Sequence, residues 1–390
     1  MRISLDRKVL LVVSAALIAM TLFGGFAGRT SAVEGTYDYL KVFNEVLYLA
    51  TNNYVEPVQI DQLMEGAYRG LLESLDPGNE YLGPEDYKKA SQGDKGGAAD
   101  VGLVLSKRHG YVVVVSTLPG SPAALGGVVT GDAILTIDGH TTRLMGVWDA
   151  NQAVRGKSGS KVTLGVNPVT GGDRKNVTLE RKTIAIPQPS GDLAGSEIGV
   201  VRVASIAEGD ARRLSQAVTA LQTRGMKRLL LDLRGCASDS IAEPIGMASL
   251  FLKDGVVVAV QDRYDGDKTY RTDGRKRAWN GPLAVLVDRG TSHGCELLTA
   301  ALRDGLGAAI VGERTWGAGT VSAILPLRNG DGVILATGLM QSPAGKEWNG
   351  KGLEPDLAIE GDAAATGDPQ RQKAIDYLKG LGTPAVRDAA

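Results

Sequence analysis

Apolar residues near the start of the chain recur at helical spacing. Leu40, Phe43, Val46, Leu47 and Ala50 form one stripe, and Leu63, Ala67, Leu71 and Leu75 form a second, as one face of a 3.6-residue period requires. Asp61 stands where an N-cap is expected for the second helix, and Asp76-Pro77-Gly78 ends it. Pro84, followed by Glu85 and Asp86, opens a third, shorter helix in the favoured order. A helical region is therefore predicted over residues 36–92.

The period then shortens. After a glycine-rich linker at Gly93 to Gly97, β-branched residues dominate. Strands are predicted at Val101 to Ser106 and Tyr111 to Ser116, joined by a turn at His109-Gly110, and at Ile134 to Asp138, Val162 to Val166 and Asn176 to Leu179. Two short helices fit between them, near Pro122 to Leu125 and Val147 to Arg155. Residues 93–185 thus read as a small, partly open β-barrel or sandwich.

From about 188 to 360, strands alternate with helices. Arg228 to Leu233 and Leu283 to Val287 are near-continuous apolar runs, the pattern of strands buried on both faces. Ile198 to Val203 and Ala309 to Val311 add further strands. Asp210 to Thr223 reads as a helix with Leu214, Val218 and Leu221 inward, and a further helix runs from about Cys295 to Arg303. The expectation is an α/β core with a mostly parallel sheet, and in such sheets function sits beyond the carboxyl ends of the strands. Two segments hold that position: Arg234 to Ser240, and Asp288 to Cys295. Residues 361–390 form a tail with one short helix near Gln370 to Lys379.

Composition narrows the possibilities. At 390 residues, with 43% hydrophobic and 22% charged residues, the chain is globular and long enough for two or three domains. A formal net charge of −1, without a basic stripe, argues against a nucleic-acid partner. The three histidines, His109, His140 and His293, do not pair at ligand spacing, so neither a metal nor a cofactor is expected.

Arg2, Arg7 and Lys8 precede an uncharged stretch from Val9 to Gly28 that ends at Arg29. As a helix rising about 1.5 Å per residue it is long enough to cross a bilayer. Thr30-Ser31-Ala32 equally suits the end of a cleaved signal peptide. Either way residues 1–30 predict export: a periplasmic or extracytoplasmic protein, anchored to the inner membrane if the segment stays. In an oxidising compartment the only two cysteines, Cys236 and Cys295, are free to pair as a disulfide; the alternative is two buried thiols.

Several stretches carry a resemblance. Ser74-Leu75-Asp76-Pro77, Gly120-Ser121-Pro122-Ala123-Ala124, Gly131-Asp132 to Ile137-Asp138-Gly139, Leu231-Asp232-Leu233-Arg234, Gly312-Glu313-Arg314-Thr315-Trp316-Gly317 and Gly350-Lys351-Gly352-Leu353-Glu354-Pro355-Asp356 together resemble the C-terminal processing (tail-specific) serine peptidases with a PDZ domain. The resemblance implies an activity in which a serine attacks a peptide carbonyl and a neutral lysine takes its proton. The family's nucleophile motif resembles Ser-Ala-Ser-Ala-Ser-Glu. Here that run reads Thr291-Ser292-His293-Gly294-Cys295-Glu296, which puts His293 at the nucleophile position. The lysine motif reads Gly317-Ala318-Gly319, and the glutamine that follows it in the family is Ser322. The glycines of the oxyanion loop are Ser238 and Asp239, and a carboxylate there opposes the stabilisation an oxyanion needs.

The resemblance therefore implies a pseudoprotease that binds protein C-termini or a partner protein. The rival is an active serine endopeptidase with a rearranged site, using Ser292 with His293 or the thiol of Cys295. A third possibility is a structural subunit partnering an active relative, and an oligomer is compatible with each. In the PDZ-like barrel, Asp100-Val101-Gly102-Leu103 matches the loop that holds a peptide's terminal carboxylate. Asp100 is expected to weaken that binding. The alternative is a domain that only packs against the core.

Overall fold

The structure, a computed structural model, describes residues 37–93, 99–361 and 367–380. The predicted N-terminal span lies outside these residues. Among those described, no helix is long and apolar enough to cross a membrane. The chain divides into two compact units, residues 1–68 and 69–390.

The first unit holds helix α1 (residues 37–53) and the opening of α2 (Ile60–Glu73). Phe43, Val46, Leu47, Leu63 and Ala67 line one apolar cleft, so the two predicted stripes meet at these positions. The rest of the second stripe differs from expectation. Leu71 and Leu75 are 66% and 69% exposed, and Leu72 is the buried residue. The helix starts at Ile60 and stops at Glu73, which leaves Leu75 beyond it. Asp61 accordingly lies in the first turn and not at the cap, where it still favours the positive end of the helix dipole.

In the second unit, β1 (Glu80–Leu82) and α3 (Pro84–Ser91) precede an antiparallel sheet. Its strands are β2 (Leu103–Arg108), β3 (Tyr111–Thr117), β4 (Ala133–Ile137), β5 (His140–Thr141), β6 (Lys161–Asn167) and β7 (Lys175–Glu180). They lie in the order β2-β3-β4-β6-β7, with β5 on β4. Helices α4 (Pro122–Leu125) and α5 (Val147–Val154) complete this part. Strand β2 starts two residues later than the pattern suggests, because Gly102 turns the chain at φ +80°, and a Cβ there would meet Ser121 Cβ at 2.2 Å.

The α/β core has a six-stranded sheet. Its members are β8 (Ser190–Ala194), β9 (Ile198–Arg202), β10 (Arg228–Asp232), a strand at Leu283–Val287, one at Ala309–Gly312 and one at Leu357–Ala358. All neighbours are parallel except β8 on β9. Alternation along β10 assigns its faces. Leu229 and Leu231 pack with α6 (Asp210–Thr223), α7 (Ala242–Ala248) and α8 (Gly294–Leu306). Leu230 packs with Ala374, Ile375 and Leu378 of α9 (Pro369–Gly380). Both faces of the sheet are covered, which is why its strands read as continuous apolar runs.

A second core sheet went unread in the sequence. It joins β1 to strands at Val256–Asp262, Lys268–Arg271, Thr320–Pro326 and Gly332–Gln341, all antiparallel. The last two strands are only partly buried along most of their length, so neither a continuous apolar run nor strict alternation marks them.

Candidate functional site

The chain leaves β10 and the Leu283–Val287 strand side by side, and the two following loops meet. Ala237 and Ser238 pair in parallel with Ser292 and His293. Asp288 fixes the turn beneath them by accepting the N–H groups of Gly235 and Gly290 at 2.7 and 2.9 Å; burial pushes its carboxyl up. A disulfide joins Cys236 to Cys295, with their Cα atoms 6.0 Å apart.

His293 stands at the junction of this short strand and α8. Its backbone has φ 51° and ψ −113°, a region costly for any residue with a Cβ. The other two non-glycine residues with positive φ among those described, His109 and Asp138, each precede a glycine in a turn. Glu296 makes the sharp junction possible. Its buried carboxylate accepts the N–H groups of His293, Gly317 and Ala318 at 2.9, 2.7 and 2.8 Å, and the hydroxyl of Thr315. Burial pushes its pKa up, and the four donors oppose that rise.

The His293 ring lies between the loop after β10 and the start of the strand at Thr320–Pro326. Nδ1 lies 2.8 Å from the carbonyl oxygen of Ser238 and Nε2 lies 2.9 Å from that of Thr320. Carbonyl oxygens only accept, so a ring nitrogen bonds its carbonyl when it carries the proton, and the neutral ring donates to one of the two at a time. Neither nitrogen is bonded to the Ser292 hydroxyl, and Ser292 itself is buried. Cys295 is committed to its disulfide.

The remaining candidate positions divide. Ala318 offers no amine, and its backbone N–H is donated to Glu296. Ser238 turns its hydroxyl to the carbonyl of Ile206, and Asp239 is exposed. Ser322 lies two residues past Thr320 on the next strand and is also exposed. Arg108, at the end of β2, was not foreseen. Its guanidinium stacks 3.7 Å over the Trp316 ring and donates to the Trp316 carbonyl at 2.6 Å. Desolvation lowers its pKa, and Glu296 counters that.

Residues 197–359 match the model of peptidase family S41, and residues 91–167 match that of the PDZ domain. The core is S41 peptidase-like and is preceded by a PDZ domain. The chain is 28% identical to the carboxy-terminal processing protease CtpA of Bacillus subtilis over 357 residues, 90% of this chain and 76% of that protein. It is 27% identical to the carboxy-terminal-processing protease of Bartonella bacilliformis over 381 residues, covering 96% and 86%. Among solved structures, the photosystem II D1 C-terminal processing protease aligns with a TM-score of 0.70 at 26% identity, over 87% of this chain and 96% of that one. The matched range 197–359 includes His293 and Ala318.

The PDZ residues lie together, apart from His293 in sequence. Asp100 Oδ1 accepts the N–H groups of Val101 and Gly102 at 2.6 and 3.1 Å, and Arg155 donates to Oδ2 at 3.0 Å. Leu103 is buried with Ala150 and Val154 of α5. No sequence period points to Arg155 as the partner of Asp100, because the two are brought together only by the fold.

Proposed function

We propose that this chain is a non-catalytic relative of the carboxy-terminal processing peptidases that binds protein tails or a partner protein through its PDZ domain. It works outside the cytoplasm, and its N-terminal segment holds it at the inner membrane. The observation that carries this reading is the His293 ring, whose two nitrogens both face backbone carbonyls. A serine peptidase needs a nucleophile, a neutral base within reach of it and a free oxyanion hole. A ring held in this way is not directed at Ser292, and Ala318 brings no amine. The disulfide removes Cys295 as a thiolate and fits an exported protein.

The test is hydrolysis of an unfolded protein by the purified chain, with an active family member as control. No turnover above background is expected. Sustained turnover that survives repurification and disappears in Ser292→Ala or Cys295→Ala would sink the proposal.

A further inference from the structure

The carboxylate cradle of the PDZ domain is already filled. PDZ domains hold a peptide's terminal carboxylate with successive backbone N–H groups at the start of the strand to which the peptide adds. Here the N–H groups of Val101 and Gly102 both point to Oδ1 of Asp100. Oδ2 is taken by Arg155, the residue that ends α5. The loop before β2 and the end of α5, which are the two sides of the groove, therefore grip one and the same carboxylate.

The main chain of Asp100 is held in place. Its own N–H and carbonyl pair with the carbonyl and N–H of Lys182, each at 2.9 Å. The apolar part of the groove is occupied as well. Leu103, Ala150 and Val154 are 6%, 0% and 0% exposed and belong to one packed cluster, so the place for a terminal apolar side chain is filled from within. What the groove still offers is backbone. Strand β2 ends its sheet, and an edge strand pairs with an added strand irrespective of that strand's terminus.

We infer that Asp100 is the built-in ligand of this PDZ domain's carboxylate cradle, so that the domain takes an internal extended segment of polypeptide along β2 and does not read a free C-terminus. The inference rests on the proposal that the chain binds polypeptide, and of the two ligands named there it selects an internal segment of a partner protein over a free tail. A terminal carboxylate entering the cradle meets Asp100 as a like charge and has to displace three hydrogen bonds. A segment without a free terminus meets neither obstacle.

The experiment titrates the full chain with one labelled, extended apolar peptide in two forms, C-terminal acid and C-terminal amide. The wild type is expected to bind the two forms within about threefold of each other. Asp100→Ala is expected to gain at least about tenfold for the acid and to leave the amide nearly unchanged, since the two freed N–H groups and Arg155 then suit an incoming carboxylate. Asp100→Asn, which keeps an oxygen for both N–H groups, guards against misfolding; it is expected to melt like the wild type and to gain acid preference in the same direction. A wild type that prefers the acid by about tenfold or more, or a folded Asp100 variant that binds and gains no acid preference, overturns the inference and leaves the binding proposal standing. No binding of either form by any variant removes the binding proposal and the inference with it.

Discussion

The carboxyl group of Glu80 on β1 accepts the backbone N–H of Trp148 at 2.8 Å, tying the second core sheet to the start of α5 in the PDZ domain. The contact is close: a Cβ on Gly146 would fall 1.7 Å from Glu80 Oε1. Burial, opposed by the Trp148 N–H and reinforced by Asp149, raises the pKa of Glu80 from 4.5 to about 7.

That shift has a sign. The folded state holds the proton more tightly than the unfolded chain, so the stability it contributes is complete below about pH 4.5 and is lost as pH rises through about 7. The difference amounts to about 3 kcal/mol. Glu80→Gln should remove this slope: chemical denaturation at pH 5 and pH 8 is expected to show a smaller fall in stability than in the wild type. Parallel pH curves for the two proteins would show that Glu80 does not titrate in this range.

Glu80 also marks where reading the sequence stops. The strands and helices flanking the cleft were legible because both-face burial leaves continuous apolar runs, as at Arg228 to Leu233. Charged residues that act singly leave no such pattern. Glu80 finds Trp148, Arg108 finds Trp316 and Asp100 finds Arg155 across large sequence separations, and only the tertiary fold specifies those pairs. His293 and Ala318 could be located from motif spacing, but that spacing did not show the imidazole bridging Ser238 and Thr320. The antiparallel core sheet escaped for another reason: its strands at Thr320–Pro326 and Gly332–Gln341 are half-exposed and carry no clean period.

The disulfide clamps the loop after β10 to the first turn of α8. The cysteines are 59 residues apart, and closing a loop of that size stabilises a fold by about 4 kcal/mol in the chain-entropy model. Replacing both cysteines with alanine should lower the denaturation midpoint accordingly. Native mass spectrometry of exported protein, without reductant, should find no alkylatable thiol. Two free thiols would exclude the bridge in the native protein.

Restoring the motif residues should not restore chemistry. His293→Ser combined with Ala318→Lys supplies a hydroxyl and an amine, but Ser238 and Asp239 stand where the resemblance implies glycines of the oxyanion loop, and the Asp239 carboxylate opposes the negative charge an oxyanion develops. The double variant is expected to remain at background in the unfolded-protein assay. Clear turnover by it would mean that the loop is already competent.

His293 contributes bonds and strain together. His293→Ala removes the links to Ser238 and Thr320 and should cost about 1–3 kcal/mol. His293→Gly removes the same bonds and also relieves a backbone held at φ 51°. It should therefore be more stable than the alanine variant by about 1 kcal/mol, the reverse of the usual ranking. Thermal melts of the two variants decide this, and an alanine variant at least as stable as the glycine one would show that the strain is negligible.

Glu296 is the post on which the cleft is hung. One buried carboxylate satisfies backbone N–H groups from α8's own start and from the loop at Gly317 and Ala318, plus the Thr315 hydroxyl. Glu296→Ala leaves these donors without an acceptor in a water-excluded site, at about 1–3 kcal/mol for each one that stays unsatisfied. Glu296→Gln is nearly isosteric but exchanges one oxygen for an NH₂ group that must face donors, whichever way the amide turns. Both variants should therefore be strongly destabilised, alanine more than glutamine, with increased amide exchange in residues 315–319. Because Thr320, which follows this loop, receives the His293 ring, loosening the post should release that contact too. A Glu296→Gln variant that melts with the wild type and keeps its exchange protection would show that the carboxylate charge, as opposed to side-chain shape, is not what holds the loop.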